Sequence, residues 1–239
     1  MPTPRKATLN QTLHSRLVFS AVLLLLLLWP AQQINADEIA IWNFNDSDLV
    51  VDHGVGTLTT NFNLVNVLFT SGGTTTNARQ GDVAGQSMTL QGGTSNANNG
   101  RTLNLNVSTF GFNNIVISFA TLRTSTGFNS NQFQYSLDGV AFIDFGVPYT
   151  PPLAFGLVTF DLSGISGVSD NPNAAFRIVF NGATSAAGNN RIDNLVVEGP
   201  TIATPIPEPA SMLLLSLGLT GTLATRFKMS RRKAEHRGD

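Results

Sequence analysis

The 239-residue sequence contains no cysteine. Disulfide bonds and thiolate metal ligands are therefore excluded, and export has to be inferred from targeting segments alone. Basic residues are also scarce in the central part of the chain. Between Asp37 and Ile206 there are five arginines and no lysine against twelve carboxylates, a net charge of −7. Because phosphate-backbone binding requires clustered lysines or arginines, we expect no nucleic acid partner.

Motifs of the common enzyme classes are absent as well. The sequence has no HExxH, GxSxG, P-loop or dinucleotide-binding pattern. Its central part has one histidine, His53, directly after Asp52, and such a pair needs a nucleophile or metal partner to be catalytic. Loop carboxylates such as Asp52, Asp82 and Asp144 are the remaining candidates for a glycosidase-type pair. We predict that the protein is not an enzyme.

Long hydrophobic runs are confined to the two ends of the sequence. Near the start, basic residues including Arg5 and Lys6 precede the apolar run LVFSAVLLLLLLW, residues 17–29. This run is shorter than the roughly 20 residues that span a bilayer. Its basic flank and the small residue Ala36 are typical of a signal peptide. We predict a signal peptide over residues 1–36, with an uncleaved anchor as the alternative.

Residues 37–199 consist of short alternating apolar runs separated by Gly, Asn, Ser and Thr, which is typical of an all-β domain. We predict a two-sheet β-sandwich, jelly-roll-like or immunoglobulin-like, since no blade repeat indicates a propeller. A signal-peptide helix would precede this domain and a short hydrophobic helix would follow it. The ten predicted strands are residues 39–44, 64–70, 87–91, 102–107, 115–122, 132–137, 140–145, 157–162, 176–180 and 191–198.

One hairpin has a specific turn signal. Asp138 and Gly139 separate two alternating runs within QFQYSLDGVAFIDF, residues 132–145. Both central residues of a type I′ turn need positive φ, which Asp and Gly tolerate. We predict a two-residue hairpin turn here, with a second strand buried on both faces or close to a sheet edge. By contrast, residues 71–86 and 91–101 are rich in Gly, Asn and Thr, and we expect exposed connecting loops there.

Two clusters of Asp and Asn are candidates for binding calcium, which prefers oxygen ligands. They are NFNDSD, residues 43–48, and NNRIDN, residues 189–194. The first and last strands lie close together in many sandwich domains, so Asp46, Asp48 and Asp193 are the predicted ligands. Neither cluster has the spacing of a DxDxDG loop. The alternative is that these residues form turns at strand ends.

Aromatic residues in turn-rich segments are candidates for contact with polysaccharide. Phe128 in STGFNSN and Tyr149 in VPYTPPLAFG are the predicted glycan contacts, whereas Trp42 alternates within a strand and is expected in the core. Single exposed aromatic residues are also common without any function.

The end of the chain has three parts in a fixed order. Residues 200–209 form a proline-rich spacer that cannot continue a sheet, and they end in Pro207, Glu208 and Pro209. An apolar run, residues 210–224, follows. The chain then has a basic cluster: Arg226, Lys228, Arg231, Arg232 and Lys233.

This arrangement resembles the PEP-CTERM protein-sorting signal of Gram-negative bacteria, over about the last 35 residues. The resemblance implies recognition by exosortase, a membrane protease that cuts near Pro-Glu-Pro, after a transient stay in the inner membrane. The positive-inside rule would keep the basic cluster cytoplasmic and the β domain outside. A permanent single-span anchor is the alternative.

The resemblance implies an exported, noncatalytic protein of the cell surface or extracellular matrix, in organisms that make exopolysaccharide. Residues 176–199 also resemble, more loosely, the last hairpin of jelly-roll-like domains that carry this tail. The alternative function is a carbohydrate-binding module of the lectin-like jelly-roll type.

Overall fold

The computed structural model describes residues 36–203. The chain divides into two compact units, Met1–Pro200 and Thr201–Asp239, and the second is described only at residues 201–203. The predicted apolar segments at 17–29 and 210–224, the Pro-Glu-Pro element and the basic cluster lie outside the described residues. Within residues 36–203, no helix is long and apolar enough to cross a membrane.

Residues 36–203 form an all-β sandwich, as predicted, with twelve strands and two short 3-10 helices, Leu64–Asn66 and Thr94–Asn96. The strands are β1 Asp37–Trp42, β2 His53–Gly54, β3 Thr57–Thr60, β4 Val67–Ser71, β5 Gln86–Gln91, β6 Arg101–Asn106, β7 Val116–Arg123, β8 Ser130–Ser136, β9 Ile143–Asp144, β10 Gly156–Asp161, β11 Ala175–Asn181 and β12 Asn189–Gly199.

The last strand organises the larger of the two antiparallel sheets. β12 pairs with β7 along one side, and on the other side with β5 and then β1, end to end. The partner changes near a β-bulge between Asp193 and Val196, and β10, β4 and β2 complete this seven-stranded sheet. The predicted proximity of the first and last strands is therefore confirmed.

The second sheet has five strands in the order β3-β6-β11-β8-β9. Its inward residues alternate along each strand, for example Leu103 and Leu105 in β6 and Phe176 and Ile178 in β11. They pack against the inward residues of the larger sheet and form one core. Trp42 is fully buried there, as expected, and its indole nitrogen donates to the Leu49 carbonyl at 3.1 Å.

The predicted two-residue turn of the hairpin is wrong. Only Tyr135 pairs with Ile143 and Gln134 with Asp144, so a long loop and not a two-residue turn joins β8 to β9. Gly139 has φ 76° but Asp138 does not adopt positive φ. The Asp138 carboxylate instead accepts the N–H groups of Val140 and Ala141, both at 2.8 Å, and this local side-chain bonding competes with strand pairing.

Several other segments also differ from the predicted strands. β9 is a two-residue strand at the sheet edge, and Val140 and Ile143 are exposed. The predicted proximity of this segment to an edge is thus correct, and its burial on both faces is wrong. The short strands β2 and β3 were not predicted, and the first residues of the predicted strand 64–70 form a 3-10 helix.

Candidate functional site

The two predicted glycan contacts do not form an exposed aromatic surface. Phe128 is fully buried, and its ring meets those of Phe62 and Phe180 edge-to-face. Tyr149 is partly buried and packs against Phe119 and Phe160, with ring centroids 6.4 and 5.6 Å away. Burial raises the pKa of the Tyr149 phenol, and the Asn131 side chain partly offsets this. Phe128 was misjudged because a polar turn sequence surrounds an inward-pointing ring.

The predicted calcium ligands lie in different local settings. Asp46 is exposed, and the Asp48 carboxylate accepts the Val50 N–H at 2.8 Å. Asp193 is 1% exposed and lies in the bulge of β12. Among residues 36–203, no group of three or more His, Cys, Asp or Glu side chains is placed to hold a metal ion. This geometry gives no support to a site at these residues, and calcium binding stays a prediction.

Residues 71–86 are partly buried and tied to β12, in contrast to the expected exposed connector. The Asp193 carboxylate accepts the Thr74 N–H at 2.7 Å, and the Asn194 side-chain amide donates to the carbonyls of Thr74 and Thr76. The Arg79 guanidinium bonds to Glu198 at 3.2 Å. At the bulge, side chains thus make the hydrogen bonds to the loop backbone that the backbone of a regular strand would otherwise make.

Several carboxylates lie around this loop, and the charges of two of them interact with Asp193 or Asp52. Burial raises the pKa of Asp193 to about 6, the N–H donors of Thr74 and Asn194 oppose this, and the charge of Asp82 adds to it. Burial also raises the pKa of Asp52, together with the charges of Asp46 and Asp82. Asp193 and Asp52 are therefore easier to protonate in the folded protein than in the unfolded chain.

The outer side of the five-stranded sheet is polar. Its central row runs across all five strands in direct register, from Thr59 in β3 to Asp144 in β9. At the strand spacing of about 4.8 Å, this row is about 19 Å wide. We call the outward side of this sheet the polar face, with a central row of Thr59, Asn104, Arg177, Gln134 and Asp144. Its flanking residues include Thr102, Val179 and Gln132 on one side of the row and Asn106 on the other.

Arg177 lies at the middle of the polar face. Its guanidinium is 4.0 Å from the centre of the Phe142 ring, and its Nε donates to Gln134 Oε1. The Gln134 side-chain nitrogen donates in turn to the Asp144 carboxylate at 2.5 Å. Burial lowers the pKa of Arg177 and Asp144 opposes this shift. The ring contact and the hydrogen bond orient the guanidinium, so donor groups are held in place on the polar face.

Of the carboxylates considered for catalysis, Asp52 and Asp82 lie close enough for their charges to interact, whereas Asp144 is on the other sheet. Asp52 accepts the Asn43 N–H at 2.6 Å beside β1 of the seven-stranded sheet, while Asp144 is in β9 of the other sheet. His53 belongs to β2, where it pairs with Ile41. His53 and Asp82 therefore lie near Asp52, and Asp144 is separate from them.

The comparison with protein families bears on the end of the chain. A model of the PEP-CTERM protein-sorting motif matches residues 205–232. The chain carries this sorting signal. The PEP-CTERM match includes Pro207, Glu208, Pro209 and every residue of the predicted basic cluster except Lys233. The matched signal indicates an exported protein.

The comparison with curated proteins finds no match for this chain. Solved structures that are similar to it include TmCBM61 bound to β-1,4-galactotriose, with 13% identity, TM-score 0.39 and coverage of 65% of this chain and 92% of that one. The xylan-binding CBM22-1 domain of Paenibacillus barcinonensis Xyn10C has 12% identity and a TM-score of 0.41. The match covers 70% of this chain and 97% of that domain. A CBM29-2 variant complexed with mannohexaose has 12% identity and a TM-score of 0.41. The match covers 69% of this chain and 93% of that one.

Proposed function

We propose that this chain is an exported, noncatalytic component of the cell surface or extracellular matrix, and that its polar face binds neutral polysaccharide. The PEP-CTERM motif supports export. The observation that carries the binding proposal is the register of Asn104, Arg177 and Gln134, which places three hydrogen-bonding side chains side by side on adjacent strands. Residues on rigid strands hold such groups more precisely than residues on loops.

The chemistry of the polar face matches a polymer rich in hydroxyl groups. Asparagine and glutamine amides each donate and accept hydrogen bonds, as hydroxyl groups do, and the Arg177 guanidinium adds donors. At a width of about 19 Å, the central row allows an extended polymer to contact side chains of several strands at once. The net charge of −7 between Asp37 and Ile206 disfavours polyanions. A neutral polysaccharide therefore fits better than an acidic one.

This proposal replaces the aromatic contacts expected from the sequence. The aromatic residue near the polar face is Phe142, in place of the predicted Phe128 and Tyr149. Its ring packs against the Arg177 guanidinium. Binding therefore depends on hydrogen bonds more than on stacking. A hydrogen bond to a charged group contributes about 1.5 to 3 kcal/mol.

Replacing Arg177 by alanine is expected to weaken binding to neutral polysaccharide at least about tenfold, because the variant loses charged donors at the centre of the face. The measurement is affinity electrophoresis of the full chain, in a sugar-free detergent, through gels that contain neutral or acidic polysaccharides. The matched control is Arg101→Ala, since Arg101 is exposed at the start of β6 and lies outside the polar face. Equal retardation of the two variants, or no retardation of the unmodified chain in any neutral gel, would contradict the proposal.

Sorting through the PEP-CTERM motif makes a separate prediction. We expect the exported protein to lack residues 212–239, because exosortase would cut near Pro207, Glu208 and Pro209. Intact-mass spectrometry of protein collected from the cell surface and medium measures this directly. Recovery of a species that retains residues 212–239 would instead support a permanent anchor.

A further inference from the structure

The polar face ends in a pocket of about 280 Å³. The pocket lies where β6 ends, β11 begins and the β8–β9 loop turns. Its volume is slightly below the usual range for drug-sized ligands, about 300 to 1,000 Å³, so it suits one small molecule. We call it the end pocket, and its lining includes Asn106, Ser108, Asp138, Gly139, Asn173 and Ala175.

The end pocket and the central row of the polar face share one surface. Asn106 pairs with Ala175, as Asn104 pairs with Arg177. Residues two apart on a strand point to the same side and are separated by about 7 Å. A polymer on the central row can therefore place a terminal or branching unit in the end pocket.

The walls of the end pocket are fixed before any ligand arrives. The Asn171 side chain donates to the carbonyls of Leu137 and Gly167, at 3.0 and 2.7 Å. The fully buried Thr109 hydroxyl bonds to the carbonyls of Val168 and Asn171. These bonds join the three segments that follow β6, follow β8 and precede β11. A pocket with preformed walls avoids the entropy cost of ordering them on binding.

The lining of the end pocket favours a neutral ligand with hydroxyl groups. Asn106 and Asn173 contribute amides, and Ser108 contributes a hydroxyl. The N–H groups of Val140 and Ala141 lower the pKa of Asp138, so its carboxylate is charged at neutral pH. The lining contains no Lys, Arg or His to pair with an anion. An anionic ligand would meet uncompensated repulsion from Asp138.

We propose that the end pocket binds a single neutral sugar unit, at the end or at a branch of the polysaccharide on the polar face. This inference rests on the proposed function, because the polymer on the polar face supplies the unit. Asn106 and Asn173 hydrogen-bond two of its hydroxyl groups, and the Asp138 carboxylate accepts a hydrogen bond from another.

The test is a titration of the ¹⁵N-labelled full chain, in a sugar-free detergent, with glucose, galactose, mannose and xylose in turn. The side-chain amide signals of Asn106 and Asn173 are the readout. We expect saturable shifts of both signals with at least one sugar. The Asn173→Trp variant fills the pocket and should abolish the Asn106 shift, while Thr159→Trp, an equally bulky change on exposed β10, should retain it.

Two results would overturn the inference: no shift with any of the four sugars, or an Asn106 shift that persists in Asn173→Trp. The Arg177→Ala variant distinguishes failure of the end-pocket inference from failure of the proposed function. If Arg177→Ala loses polysaccharide binding but no monosaccharide shifts the amides, the end pocket is wrong and the polar face stands. If monosaccharides shift the amides but no polysaccharide is bound, the polar face is wrong and the link between the two sites is lost.

Discussion

The Phe128→Ala variant is expected to lose about 3 to 5 kcal/mol of unfolding free energy, the usual cost of removing a buried phenylalanine ring. Phe128, Phe62 and Phe180 pack edge-to-face in all three pairings, with centroids 5.5 to 5.7 Å apart. Removing one ring leaves a cavity and also removes two favourable aromatic pairs. The result would establish Phe128 as a core residue in place of the glycan contact expected from its sequence context.

Denaturant and thermal unfolding measure this loss. For a domain of this size, the expected decrease in Tm is about 6 to 20 °C. The matched control is Phe110→Ala, because Phe110 is 67% exposed and its removal should change stability by less than about 0.5 kcal/mol. Similar losses in the two variants would show that Phe128 is not buried as described.

The second large effect is a decrease in stability as the pH rises from about 4 to about 7. The pKa of Asp193 is raised by burial from an ordinary 3.8 to about 6. Between these values the folded protein binds more protons than the unfolded chain, so the unfolding free energy falls with rising pH. One pKa unit corresponds to about 1.4 kcal/mol, and we expect a decrease of about 1 to 3 kcal/mol. The raised pKa of Asp52 acts in the same direction.

Asp193→Asn isolates the contribution of this carboxylate. The variant cannot ionise at this position, so its stability should depend less on pH, whatever its absolute stability. The matched control is Asp170→Asn, an exposed position with φ 52° that asparagine tolerates. Urea unfolding from pH 4 to pH 7, with a chelator present, gives the slopes. A slope for Asp193→Asn as steep as that of the unmodified chain would assign the pH dependence to other groups.

Much of the fold could be predicted because strand periodicity is a local property. The alternating run at residues 102–107 forms β6, with Leu103 and Leu105 buried on one side, and alternation also predicted that Trp42 lies in the core. The sorting signal was also readable, since Pro207, Glu208 and Pro209, the apolar run and the basic cluster follow one another directly in the sequence.

The predictions were wrong where one local sequence pattern is compatible with two different structures. Asp138 and Gly139 fit a two-residue turn, but the Asp138 carboxylate bonds to Val140 and Ala141 and opens the hairpin into a long loop. Likewise, the Gly- and Thr-rich residues 71–86 resemble an exposed connector. Their bonds to Asp193 and Asn194 span more than 110 positions, and no local pattern encodes them.

By itself, the sequence determined the β-rich architecture, the shortage of positive charge in the central part of the chain and the sorting signal at its end, because each depends on neighbouring residues or on composition. The tertiary structure alone decided which strands lie side by side. That pairing brings Asn104, Arg177 and Gln134 into one row, though they lie far apart in the sequence, and it encloses Phe128 among Phe62 and Phe180. Both the polar face and the core thus arise from register between distant segments, which is set by the packing of the whole sandwich.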